Sequence, residues 1–93
     1  MTKSYYLTVS ARGFCNETAV YRFSTRDARD SARSIVNNNV SAWAEDLTGA
    51  ALSRAKRQNA ADEAALGKGR GCIQDGDSTE FRLNGYGELV ILG

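Results

Sequence analysis

Between Thr48 and Gly71 the chain offers only two large apolar side chains, Leu52 and Leu66, among Ala, Gly, Arg, Lys and acidic or amide residues. Burial is favoured in proportion to the apolar area removed from water, so a segment of this make-up cannot form a core by itself. It is a quarter of a 93-residue chain, and the fold has to be built by its two flanks. A chain this short buries only about 60–65% of the surface that its unfolded form exposes, which leaves no room for a second core. Residues 1–93 therefore read as one domain, with residues 48–71 a core-poor basic segment inside it.

The flanks carry strand patterns. From Ser4 to Arg12, Tyr5, Leu7, Val9 and Ala11 fall on one face, and Tyr6, Thr8, Ser10 and Arg12 on the other; this alternation predicts a half-buried strand. A loop at Gly13 to Glu17 leads to a second run, Thr18 to Phe23, in which Ala19, Tyr21 and Phe23 oppose Val20 and Arg22. The two should pair as an antiparallel hairpin. Ser24 or Thr25 can then cap a helix with Asp27 in its first turn, and Ala28, Ala32, Ile35 and Val36 form the stripe that would lie on the sheet. Asn37, Asn38 and Asn39 should end it.

A second helix is expected from Ser41, with Trp43, Leu47, Ala50 and Ala51 on one face and Gly49 weakening it. The Ala-rich sequence through Ala65 has good helix propensity but a poor apolar stripe, so residues 50–70 read either as a solvent-facing helix or as a segment ordered by a partner. Thr79 to Leu83 and Glu88 to Leu92 form a second hairpin around Asn84-Gly85. The predicted class is α+β: an antiparallel four-stranded sheet, ββααββ along the chain, with the helices on one face. Leu89, Val90, Ile91 and Leu92 make the last strand apolar on both faces. That suits a central strand or an edge that meets another chain, so a homodimer joined there is one reading.

Composition narrows the chemistry. The chain has no histidine, which removes the usual general base near neutral pH, His-activated nucleophiles and Cys/His zinc sites. We expect no catalytic set, no cofactor and no metal. Lys and Arg number 12 against 11 Asp and Glu, so any attraction for a charged partner must come from local clusters. The N-terminal MTKSYYLTVSARG lacks an apolar h-region, and no run approaches the roughly 20 apolar residues that span a bilayer. A cytoplasmic protein with no membrane partner is expected. Its cysteines, Cys15 and Cys72, read more readily as thiols than as a disulfide.

Several local patterns suggest sites. Gly67-Lys68-Gly69-Arg70-Gly71 lacks the spacing and the strand-to-helix setting of a P-loop, and reads as a connector whose Lys68 and Arg70 are available to a partner. Asp75-Gly76-Asp77 with Glu80 lacks the ligand set of a calcium loop and reads as turn chemistry. Arg26, Arg29 and Arg33 share one flank of the first helix, where three guanidinium groups could grip phosphates or carboxylates or form a solvated face partly screened by Asp30. Arg54, Lys56 and Arg57 form a second basic cluster in the core-poor segment. Tyr5, Tyr6, Tyr21 and Phe23 could stack bases as on RNA-binding sheets, though packing is the commoner use of such residues.

In outline, a small domain beginning MTKSYYLTV, without a catalytic set, with the Arg-bearing helix TRDARDSAR and the polar segment LSRAKRQNAADEAALGKGRG, resembles the phage-encoded anti-CRISPR proteins that disable type I surveillance complexes. The resemblance implies a stoichiometric inhibitor of a large host protein or ribonucleoprotein complex, one that blocks target DNA binding or nuclease recruitment. It would touch Cas subunits and the guide RNA backbone through its clustered cations. A small nucleic-acid-binding domain using the same arginines is the competing expectation.

Overall fold

Residues 5–11 and 17–23 pair because each carries its apolar side chains at every second position, and pairing puts both apolar sets on one side. In the computed structural model, which describes residues 3–11, 17–39 and 41–93, β1 (Tyr5–Ala11) and β2 (Glu17–Phe23) are antiparallel, with Leu7 opposite Tyr21 and Val9 opposite Ala19. Helix α1 (Arg26–Asn37) follows. Its cap is Thr25, whose Oγ1 accepts a hydrogen bond from the Ala28 N–H at 3.2 Å. Ala32 and Val36 of α1 are buried against the sheet, with Ala28 and Ile35 packed beside them.

The next element corrects the sequence reading. Residues Ala42–Asp46 form a strand, β3, antiparallel to β1, and the second helix, α2, spans Gly49–Leu66. Trp43 and Leu47 were expected on a helical face; instead Ala42 and Ala44 point into the core while Trp43 lies on the other side and is 38% exposed. Small side chains at the two inward positions let α1 approach closely. Asn37 of α1 then holds the middle of this edge strand, its amide donating to the Ala44 carbonyl (3.1 Å) and its oxygen accepting from the Ala44 N–H (2.8 Å). Tertiary pairing overrides the helix propensity of Ala-rich sequence here.

A three-residue strand, β4 (Ile73–Asp75), pairs in parallel with β2 and completes a mixed sheet of order β3-β1-β2-β4. The C-terminal hairpin forms as expected, β5 (Glu80–Leu83) with β6 (Leu89–Leu92), but as a separate two-stranded sheet. Its loop is longer than an Asn-Gly turn: the Asn84 side-chain oxygen accepts from the N–H groups of Tyr86 and Glu88. The fold is thus α+β in the order ββαβαβββ, not an antiparallel ββααββ sheet.

One face of the main sheet holds the core. Leu7, Val9, Tyr21, Phe23, Ala42 and Ala44 meet α1 and Phe81 of β5. The Phe81 ring lies edge-on to Tyr21, centroids 5.1 Å apart, and 6.0 Å from Phe23, a geometry aromatic pairs favour. The opposite face carries Tyr6, Thr8, Val20, Arg22 and Ile73, and α2 crosses it with no residue buried.

Candidate binding surface

The arginines of α1 are drawn into a network. Arg29 meets Asp30 at 3.1 Å and Asp46 at 3.4 Å, and Arg33 meets Asp30 at 3.3 Å and also pairs with Asp46. Two cations are matched by two carboxylates, and Asp46, on β3, ties that edge of the sheet to α1. The bond to Asp46 holds the Arg33 guanidinium above its ordinary pKa, so it stays charged. Arg26 is exposed, its guanidinium 5.6 Å from the centre of the Tyr5 ring, which Arg29 also approaches at 5.4 Å. Two of the three expected binding arginines on α1 therefore have carboxylate partners within the protein.

The second cluster is split by helical geometry. Successive residues turn by 100°, so Arg54 and Arg57 point well away from Asn59, which touches the sheet side, whereas Lys56 leans toward it. Lys56 Nζ stands 5.2 Å from the Tyr6 ring centre. Arg54 and Arg57 are exposed, and neither they nor Lys68 and Arg70 of the connector have a carboxylate at ion-pair distance among the described residues. These four cations are among those left for a partner. Of the tyrosine platform, Tyr21 is buried with Phe23, while Tyr5 and Tyr6 lie on opposite faces of the sheet, each beneath cations.

On its inner side α2 is fastened by polar contacts where a helix on a sheet ordinarily uses an apolar stripe. The Asn59 oxygen accepts from the Ile73 N–H at 2.9 Å, its amide donates to Glu63 at 3.1 Å, and the other Glu63 oxygen accepts from the Gly69 N–H at 2.7 Å. Asn59 lies so close to the backbone of Gly71 that a Cβ there would come within 1.9 Å of it. Sequence reasoning missed Tyr6, Arg22, Asn59 and Glu63 as a group. The alternation put Tyr6 and Arg22 on the polar face, but only the path of α2 brings Asn59 and Glu63 to them.

Cys72 is exposed, with Sγ 3.9 Å from the Ala55 carbonyl. Local desolvation, then the neighbouring Asp62 carboxylate, push its thiol up, the opposite of the electropositive setting that activates cysteine. The pairing of Cys15 and the loop at its position lie outside the described residues. Among the described residues no group of three or more Cys, Asp and Glu could hold a metal ion, and no helix is long and apolar enough to cross a membrane.

The Asp75-Gly76-Asp77 turn behaves as its residues suggest. Asp75 accepts from the Ser78 hydroxyl (2.7 Å) and the Asp77 N–H (3.0 Å), while the Asp77 carboxylate takes the Ser24 N–H at 3.1 Å. The Ser78 bond, followed by that from Asp77, holds the Asp75 carboxyl below the ordinary carboxylate value. A folded pKa below the unfolded one contributes stability that is complete above roughly 3.9 and is lost as pH falls through the folded value. The turn is expected to persist at about pH 5 and open only in stronger acid. In an NMR titration the Asp77 amide should move with a midpoint below that of an unstructured aspartate, and a midpoint at or above it would contradict this assignment.

The chain matches no protein-family model, and neither a curated protein nor a solved structure is significantly similar to it.

Proposed function

We propose that the protein is a non-enzymatic inhibitor that docks the outer face of α2, with the Gly67–Gly71 connector, on a host CRISPR-Cas ribonucleoprotein complex and blocks target DNA binding or nuclease recruitment. The observation that carries this reading is α2 itself: 18 residues without one buried side chain, presenting Arg54 and Arg57 unpaired while the arginines of α1 are largely matched internally. A helix with so little packing to support it is a surface more than a scaffold. The choice of a CRISPR complex rests on the outline resemblance.

The test is co-migration on size exclusion with purified type I and type II effector complexes, using wild type and the variant Arg54→Glu/Arg57→Glu. Wild type should co-elute with one of them. The variant should lose binding while its thermal midpoint stays close to wild type, because exposed substitutions typically change stability by only about 0.5 kcal/mol each. Failure of wild type to co-migrate with any complex would count against this reading. Binding to bare RNA or DNA, with a log–log salt slope of roughly −0.7 to −0.9 per phosphate neutralised, would favour the nucleic-acid-binding alternative.

A further inference from the structure

Because α2 is fastened by polar side chains, it does not close onto the sheet. A cleft of about 510 Å³ remains beneath it, lined by Tyr6, Arg22, Lys56, Asn59, Glu63 and Asp75, with Ile73 on its floor. That volume falls in the range of small-molecule sites, roughly 300–1,000 Å³.

The charges in the cleft are unequally committed. Both oxygens of Glu63 accept hydrogen bonds, from Asn59 and from the Gly69 N–H. Both oxygens of Asp75 are occupied as well, by the Asp77 N–H and the Ser78 hydroxyl. The cations are not matched in this way. Arg22 is the direct cross-strand neighbour of Tyr6, and Lys56 approaches the ring of the same tyrosine; neither has a carboxylate at ion-pair distance among the described residues. Asp75, beside Arg22 in the parallel register, attracts it without forming such a pair. The guanidinium fork and the ammonium thus keep their donors for something else. The wall opposite is fixed in advance by Asn59, locked between Ile73, Glu63 and Gly71.

We infer that this cleft is a binding site for a phosphate monoester of a small organic molecule, its phosphate held between Arg22 and Lys56 and its remainder lying along Tyr6 and Ile73. Two cations lining one cleft match a group that carries about −1.5 to −2 charges at neutral pH better than they match a single carboxylate. Arginine supplies the bidentate geometry that phosphate oxygens accept. The site lies on the sheet side of α2, away from Arg54 and Arg57, and shares with the docking surface proposed above only Gly69 and Gly71 of the connector.

The experiment is an amide-resolved NMR titration of the full chain with inorganic phosphate, adenosine 5′-monophosphate and, as the carboxylate arm, acetate at equal ionic strength. The site requires saturable shifts at Tyr6, Arg22, Lys56 and residues 69–75 with the nucleotide, weaker ones with inorganic phosphate, and none that saturate with acetate. Arg22→Gln and Lys56→Gln should each weaken nucleotide binding by about tenfold or more. Lys56 is on a helix without buried residues, so its variant should keep the wild-type spectrum elsewhere and provide the reading even if Arg22→Gln perturbs the sheet. Absence of saturable shifts, equal saturation by acetate, or undiminished nucleotide binding by a folded Lys56→Gln would each overturn the assignment.

Discussion

Replacing Phe23 by alanine is expected to lower the unfolding free energy by about 3–5 kcal/mol, the usual loss when a fully buried aromatic ring is removed. Phe23 is 2% exposed, lies 6.0 Å from the Phe81 ring and has Gly76 against its edge. A small domain has about 5–15 kcal/mol in total and this one belongs at the lower end, so the variant should be largely unfolded near body temperature. Urea denaturation followed by circular dichroism measures the loss. A change below about 1 kcal/mol would mean that this ring is not central to the core.

Gly76→Ala should be nearly as disruptive although it adds a single methyl group. Its Cβ would fall 2.6 Å from two Phe23 ring atoms and 2.9 Å from the Arg22 carbonyl oxygen, while the Gly76 N–H is bonded to that same oxygen at 2.8 Å. Neither neighbour can yield: one is a buried ring, the other backbone. Overpacking of this kind costs about 1–3 kcal/mol and occasionally more. In the Phe23→Ala background the space left by the ring should accept the methyl, so the second loss should shrink by about 0.5–3 kcal/mol, a coupling typical of residues in contact. Strictly additive losses would show that the ring is not what the methyl meets.

The parts of the fold that the sequence announces are those whose partners are close along the chain. Alternation in β1 and β2, the cap at Thr25, the stripe of Ala28, Ala32, Ile35 and Val36, and the hairpin after Thr79 are all local signals, and all correspond to observed elements. Residues 42–46 carry no strand signal in the sequence because Ala42 and Ala44 are buried only through their contact with distant residues; alanine at both inward positions carries no strand preference of its own. The four expected strands did not include β4, three residues long and paired to a strand some 50 positions earlier. Similar reasons govern the site. All eight cations proposed for binding were visible in the sequence, and so was Asp30 beside Arg29 and Arg33, but the second carboxylate on those two arginines, Asp46, reaches α1 only from β3. Arg22 was correctly placed on the polar face of its strand, yet its setting exists only because α2 crosses that face.

The division of labour between the two sides of the sheet has a consequence for how the sequence is free to change. Substitutions among Leu7, Tyr21, Phe23, Val36 and Phe81 alter packing and are constrained by it. Outward positions of α2, such as Arg54, Arg57, Ala61 and Ala64, are exposed and can be exchanged at about 0.5 kcal/mol apiece. A lineage could therefore rewrite this helix face residue by residue, following drift in whatever it binds, without any intermediate losing the fold.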